Sequence, residues 1–286
     1  METVDLEKDY RKSGEGANGD SYDCLYDSST MLKMYNAAYP ADMIAEELEV
    51  AQKVFSLGIP SPQPGELVTD GERLGIRFKR IIGKRSIARM IADEPQRMEP
   101  YTRLFAKYCR QLHSTPCPDG LFPDAIEQAR HFLDCDKVFT LDEKAVISTF
   151  IDSVPHCGTA VHGDMHIGNM ISTLPAGAPL SCNHSEYFID LGLFSQGCPL
   201  LDIGMMQIVC FMSDEAFRRG TYHLTGEQTH AIWDIFVDEY FGPDASPQAI
   251  YDTILPYSCL KMFLIEFNAK ALFPHYEKLI RQTFGL

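Results

Sequence analysis

The chain has 286 residues, 45% hydrophobic and 23% charged, with 25 basic against 40 acidic side chains for a net charge of −15. At roughly 150 residues per domain this is two domains or one domain built as two lobes, and the ordinary apolar content excludes a disordered or fibrous chain. So acidic a chain lacks the basic footprint that nucleic-acid backbones require and would be repelled by anionic membrane surfaces, so neither is expected as a partner.

The opening METVDLEKDYRKSGEG contains no apolar stretch of signal-peptide length, and no later segment approaches the run of about 18 apolar residues that spans a membrane. A soluble, cytoplasmic protein is expected. The nine cysteines are odd in number and widely spaced, and none forms a CxxC pair. That pattern supports neither a disulfide framework nor a Cys-type zinc site, and predicts mostly small buried apolar residues in a reducing compartment.

In chain order, a glycine-rich stretch with Gly14, Gly16 and Gly19 precedes two short strand candidates, Tyr22 to Tyr26 and TMLKMY, joined at Asp27-Ser28-Ser29. Side chains alternate along a strand, so Met31, Lys33 and Tyr35 share one face and Leu32 and Met34 the other. From Asp42 to Leu57 the apolar residues Ile44, Leu48, Ala51 and Phe55 recur at helical spacing until Gly58 and Pro60. Glu47 lies on the flank of that stripe and Glu46 nearly opposite it, so Glu47 is the acid able to look inward. Two further strands, Glu66 to Thr69 and Leu74 to Ile82, flank the turn Asp70-Gly71.

Beyond Gly83 the texture changes to long helical patterns, at Glu99 to His113, Ala125 to Asp134, Asp142 to Ser153, Asp202 to Ser213, Glu227 to Phe241 and Tyr251 to Phe273. A non-helical island from about Ala160 to Leu193 interrupts them with AVHGDMHIGNMIS and YFIDLGL, and exposed polar loops on a rigid scaffold are where chemistry is usually placed. The expected organisation is a lobe over residues 1–82, a small antiparallel sheet with one helix, and a larger mainly α-helical lobe over 83–286 that carries this island.

The island holds His162-Gly163-Asp164-Met165-His166-Ile167-Gly168-Asn169, followed about twenty residues later by Ile189-Asp190-Leu191-Gly192. Phosphoryl transfer needs a carboxylate to orient the attacking hydroxyl and oxygen ligands to hold magnesium against phosphates. One Asp, one Asn and a second Asp are such a set. The string GEGANG would let backbone N–H groups approach a phosphate chain, with Lys33 as counter-charge and Glu47 as its orienting partner. Alone, GxGxxG is equally an N-terminal turn; the dinucleotide-fold reading fails because a strand follows where a helix should open.

These strings resemble the aminoglycoside phosphotransferase and choline kinase branch of the protein-kinase-like fold. HGDxxxxN matches its catalytic loop, IDLG its metal-binding step, LEKDY...GEGANG...LKMY its nucleotide loop and strand lysine, and ELEVAQKVFSLGIPSPQ its helix and following turn. The matching positions run from about Gly14 to Asp202, and the tail beyond Phe211 carries no recognised motif. The resemblance implies a bilobal α+β fold with ATP or GTP and Mg2+ in the cleft. It implies Asp164 as catalytic base or hydroxyl-orienting group, Asn169 and Asp190 as magnesium ligands, and Lys33, paired with Glu47, on the nucleotide phosphates. His162 would pack under the catalytic loop, Asp202 would brace its backbone from a helix start, and Arg80, Ile81 and Ile82 would form the hinge facing the base.

Gly163 stands where regulated protein kinases carry arginine, and only eleven residues separate Asp190 from Asp202. That leaves no room for an activation segment, so a small-molecule hydroxyl is the expected acceptor: an aminoglycoside, a choline-like amino alcohol or a sugar. The net charge slightly favours a cationic one. No protein partner is implied. Leu174 to Ser185 reads as a surface loop. Two other classes account for part of the pattern. His162, Asp164 and His166 would form the ligand face of a metal-dependent hydrolase if they lay on a strand. A catalytically inactive nucleotide-binding module would keep the fold alone. Trp233 to Tyr240 reads as an amphipathic helix, Trp233, Phe236, Val237 and Tyr240 inward and its acids solvated, or as an acidic grip on a cationic acceptor.

Overall fold

The computed structural model describes residues 1–16, 18–268 and 274–286. In chain order the elements are β1 (Glu2–Thr3), α1 (Leu6–Asp9), β2 (Tyr10–Glu15), β3 (Gly19–Cys24), β4 (Thr30–Tyr35), α2 (Ala41–Ser56), β5 (Pro64–Thr69), β6 (Leu74–Lys79), β7 (Arg85–Ser86), α3 (Ile87–Asp93), α4 (Met98–His113), α5 (Ala125–Cys135) and α6 (Leu141–Ser153). There follow β8 (Ala160–Val161), β9 (Met170–Ser172), β10 (Glu186–Phe188), β11 (Ser195–Gln196), α7 (Leu200–Gln207), α8 (Glu215–Phe217), α9 (Gly226–Phe241), α10 (Pro247–Asn268) and α11 (Pro274–Phe284). Two compact units result: Met1–Ser86 with Met170–Leu193, and Ile87–Asn169 with Phe194–Leu286. The first is discontinuous because β9 pairs with both β7 and β10, and the Phe188 N–H donates to the Pro60 carbonyl at 2.8 Å.

The first unit is built on a six-stranded sheet of order β1-β5-β6-β4-β3-β2, antiparallel except for the parallel β1–β5 pair. Strand β4 follows the expected alternation. Leu32 and Met34 join Val4, Tyr10, Cys24 and Val68 in one apolar cluster, while Tyr35 packs with Ile44 of α2 and Ile76 of β6 in another. Lys33 therefore emerges on the α2 side. The glycine stretch is a hairpin rather than an open loop: Gly14 lies within β2, Gly19 opens β3, and the Gly16 N–H donates to the Gly19 carbonyl at 2.8 Å.

Helix α2 buries Ile44, Glu47, Ala51 and Val54, at i, i+3, i+7 and i+10, and leaves Phe55 42% exposed. The expected stripe through Leu48 and Phe55 is thus rotated, and Glu47 sits within the buried face rather than on its flank. The physical reason is that Glu47 has a cation to meet there, as described below, so its burial is compensated. The last expected strand of the lobe stops at Lys79, short of Ile82.

The second unit is helical, with α10 packed on α7 and α4 on α9. On α9 the residues Thr229, Ile232, Trp233, Phe236 and Val237 form an inward stripe at i, i+3, i+4, i+7 and i+8. Its acids are not simply solvated: Asp238 accepts from Arg103 at 2.6 Å, and Glu239 lies 3.5 Å from Arg110. The helix expected to start at Asp202 begins at Leu200 and ends in a π turn over Ile208–Met212, closed by the Ser213 N–H on the Ile208 carbonyl. The helix expected from Tyr251 begins at Pro247; positions 269–273 of that expectation lie outside the described residues. Leu174–Ser185 is a loop, closed at its base by the Thr173 N–H on the Ser185 carbonyl.

All nine cysteines are free thiols, six of them buried. Among the described residues no helix is long and apolar enough to cross a membrane.

Candidate active site

In the first unit, the register Gly14↔Ser21, Ser21↔Lys33 and Lys33↔Ile76 aligns one row of residues across four strands. Gly14 and Lys33 are two strands apart on that row, about 10 Å. Directly paired residues share a sheet face, and Gly14, Ser21 and Lys33 of this row line a pocket together with Gly16, Gly19, Glu47 and Asp190. Its remaining walls are largely apolar, from Met31, Ala51, Pro62, Phe78, Ile81 and Leu191. A Cβ on Gly19 would lie 2.7 Å from the Tyr35 Cα and run into the Met34 carbonyl, so only glycine lets β3 lie this close to β4.

Lys33 Nζ donates to Glu47 Oε1 at 2.7 Å and to Asp190 Oδ1 at 2.8 Å. Burial alone would depress this ammonium, but the charges of Asp190 and Glu47 outweigh it and hold Lys33 well above the usual lysine value. Glu47 is nearly buried while the Asp190 side chain is 53% exposed. Asp190 adopts a left-handed backbone conformation at φ 58°, one of two non-glycine residues to do so among those described. That conformation is uncommon for residues with a Cβ, although aspartate tolerates it better than most. Two residues later, a Cβ on Gly192 would come within 3.1 Å of Glu47 Oε2, which accounts for the glycine of IDLG.

In the second unit, His162 to Asn169 form a loop between β8 and the start of β9. Its backbone is tied from beneath. Asp202, fully buried in the first turn of α7, accepts from the His162 N–H at 2.6 Å and the Gly163 N–H at 2.8 Å, and from His113 Nε2 at 3.0 Å. Burial opposes its charge, but the His113 hydrogen bond and the nearby Lys261 ammonium hold it below the usual carboxylate value. Asn169 Nδ2 donates to the Asp164 carbonyl at 2.9 Å and to Asp164 Oδ2 at 3.1 Å. With its amide nitrogen committed to Asp164, Asn169 presents Oδ1 as its remaining side-chain donor to a cation. Asn169 Oδ1 in the second unit and the Asp190 carboxylate in the first are each hard oxygens of the kind magnesium takes.

The structure thus brings Lys33, Glu47, Asp190 and the three glycines together in one unit, and Asp164 with Asn169 in the other. The hydrolase arrangement does not form. His162 to His166 is loop rather than strand, His162 Nδ1 accepts from the Asp164 N–H, and His166 Nδ1 accepts from the Gly168 N–H. Among the described residues no three His, Cys, Asp or Glu side chains are grouped to hold a metal ion. Three residues near these sites carry no sequence signal: Lys84, which lines the pocket wall and is held below the usual lysine value by desolvation; His113; and Lys261. A single lysine or histidine on a helix or loop has no pattern by which to be found.

The sequence pattern of the phosphotransferase enzyme family matches residues 9–236. No curated protein matches the chain. Among solved structures, the gentamicin complex of APH(2'')-IIa is 16% identical, with 99% of this chain and 97% of that one covered at a TM-score of 0.58. ADP-bound APH(2'')-Ib is 17% identical over 96% and 92% at 0.57, and macrolide 2'-phosphotransferase type I is 14% identical over 96% and 89% at 0.53. At these identities the structural likeness speaks for the fold. The family match carries the rest: the chain belongs to the phosphotransferase enzyme family and has its protein-kinase-like α+β fold.

Proposed function

We propose that the protein moves the terminal phosphate of ATP or GTP to a hydroxyl of a small molecule in the cytoplasm. The observation that carries this reading is the charge series Glu47–Lys33–Asp190 in one pocket, beside the glycine hairpin and among apolar walls. In that pocket the apolar walls take the base, the hairpin lets backbone N–H groups approach the phosphates, and Lys33, oriented by Glu47, offsets their charge.

Asn169 and Asp190 would hold magnesium, which when bound neutralises phosphate charge as it does throughout this chemistry. Asp164, held by the Asn169 amide, orients the acceptor hydroxyl and receives its proton as the oxygen attacks phosphorus in line and the nucleoside diphosphate leaves. Little covalent catalysis is needed, so the rate derives from positioning and electrostatics. The acceptor is an aminoglycoside, a choline-like amino alcohol or a sugar, and the net charge of −15 slightly favours a cationic one. The test is Asp164→Ala: transfer should be abolished while nucleotide binding survives, and retained turnover would sink the mechanism.

A further inference from the structure

The tail beyond the family match, which ends at residue 236, sends one side chain to the catalytic loop. Lys261, on α10, donates from Nζ to the Gly163 carbonyl at 2.8 Å. That carbonyl shares its peptide group with the Asp164 N–H, which donates to His162 Nδ1 at 3.3 Å. The two preceding N–H groups, of His162 and Gly163, are held by Asp202. Three consecutive peptide groups are therefore tied, and in the last of them Lys261 holds the oxygen.

That tie has a physical reason. Gly163 sits at φ +86°, and glycine populates both signs of φ about equally, so the residue before Asp164 has no Cβ to resist rotation of the following peptide. An anchor on its carbonyl supplies the resistance. Lys261 also lies near two carboxylates, Asp202 and Asp164, which oppose the effect of burial on its ammonium; burial still prevails and holds it below the usual lysine value. A desolvated ammonium aimed at a backbone carbonyl costs stability unless the bond it makes is worth having.

We infer that Lys261 is a positioning residue for phosphoryl transfer: its ammonium holds the Gly163 carbonyl and so fixes the peptide that presents Asp164. The inference rests on the role proposed for Asp164. Lys261→Met keeps the apolar bulk of the stem and removes donor and charge, whereas Lys261→Arg keeps both. Two readouts separate positioning from packing. The first is steady-state turnover of ATP or GTP with water as acceptor. Lys261→Met should lower kcat by roughly tenfold to a hundredfold, the value of a charge-assisted hydrogen bond, at unchanged nucleotide KM. The second is hydrogen exchange of the peptide covering 160–169, which should quicken in Lys261→Met. Lys261→Arg should recover the larger part of both. A folded Lys261→Met with wild-type kcat and exchange, a loss confined to KM, or an Arg variant no better than Met would overturn the inference. The exchange readout needs no turnover, so it judges the tie even if Asp164→Ala retains activity and the phosphotransfer reading fails.

Discussion

Replacing Asp202 by Asn tests the buried support of the loop from His162 to Asn169. Asp202 has no solvent exposure and accepts three hydrogen bonds, from the N–H groups of His162 and Gly163 and from His113 Nε2. Asparagine has the same shape but one acceptor oxygen, so its NH2 faces at least one of these donors. A buried donor left unmet costs about 1–3 kcal/mol, and the remaining hydrogen bonds, each worth about 1.5–3 kcal/mol to a carboxylate, weaken when the charge is lost. A loss of about 3–5 kcal/mol is expected, a large part of a typical stability of about 5–15 kcal/mol. With a urea m-value near 3 kcal/mol/M, the unfolding midpoint at pH 7 should fall by about 1–1.7 M. Because the folded carboxyl lies below its usual value, the stabilisation is fully present above the unfolded value of about 4 and is lost as pH falls through the folded one. The gap between wild type and Asp202→Asn should therefore close as pH falls below about 4. The exposed Asp234→Asn on α9 serves as control and should stay within about 0.5 kcal/mol. A midpoint shift below about 0.3 M, or a gap that persists unchanged at pH 3, would refute the reasoning.

Glu47→Gln should lower nucleotide turnover about a hundredfold, since Lys33 loses the carboxylate that aims it, while wild-type turnover would show that the pair does not orient the lysine. Gly19→Ala should destabilise by about 1–3 kcal/mol in thermal melts, because its Cβ meets backbone that cannot yield. Gly14→Ala, whose Cβ would find its nearest neighbour at 3.6 Å, should melt within a degree or two of wild type; equal melting of the two alanine variants would contradict the packing argument.

The Lys33–Glu47 pairing was legible from strand alternation and helical spacing, and it forms in the structure, which also places Asn169 against Asp164. The long helices were legible from period, and in the structure Thr140 with Glu143 and Thr225 with Gln228 form capping boxes at the starts of α6 and α9. Helix α3 was not. Four of its seven residues, Ile87, Ala88, Met90 and Ile91, are buried, so it shows little of the apolar-polar alternation a surface helix shows. Strand β1, two residues long, is held by parallel pairing to β5 and has no local signal. On α2 the sequence shows the period but not its phase, because Glu47 counts as polar in any pattern and is buried only through Lys33, fourteen residues earlier. Lys261 reaches Gly163 across 98 positions of sequence, and such a tie is a property of the folded unit alone.

The most direct test of the phosphotransfer reading is a thermal-shift titration with ATP and with GTP, each with and without magnesium, on wild type and Asp190→Ala. A ligand that binds only the folded state stabilises by about 2.7 kcal/mol at a hundredfold excess over its Kd. A magnesium-dependent rise in Tm that Asp190→Ala loses is the predicted result. No shift with either nucleotide, together with stabilisation by zinc, would contradict it.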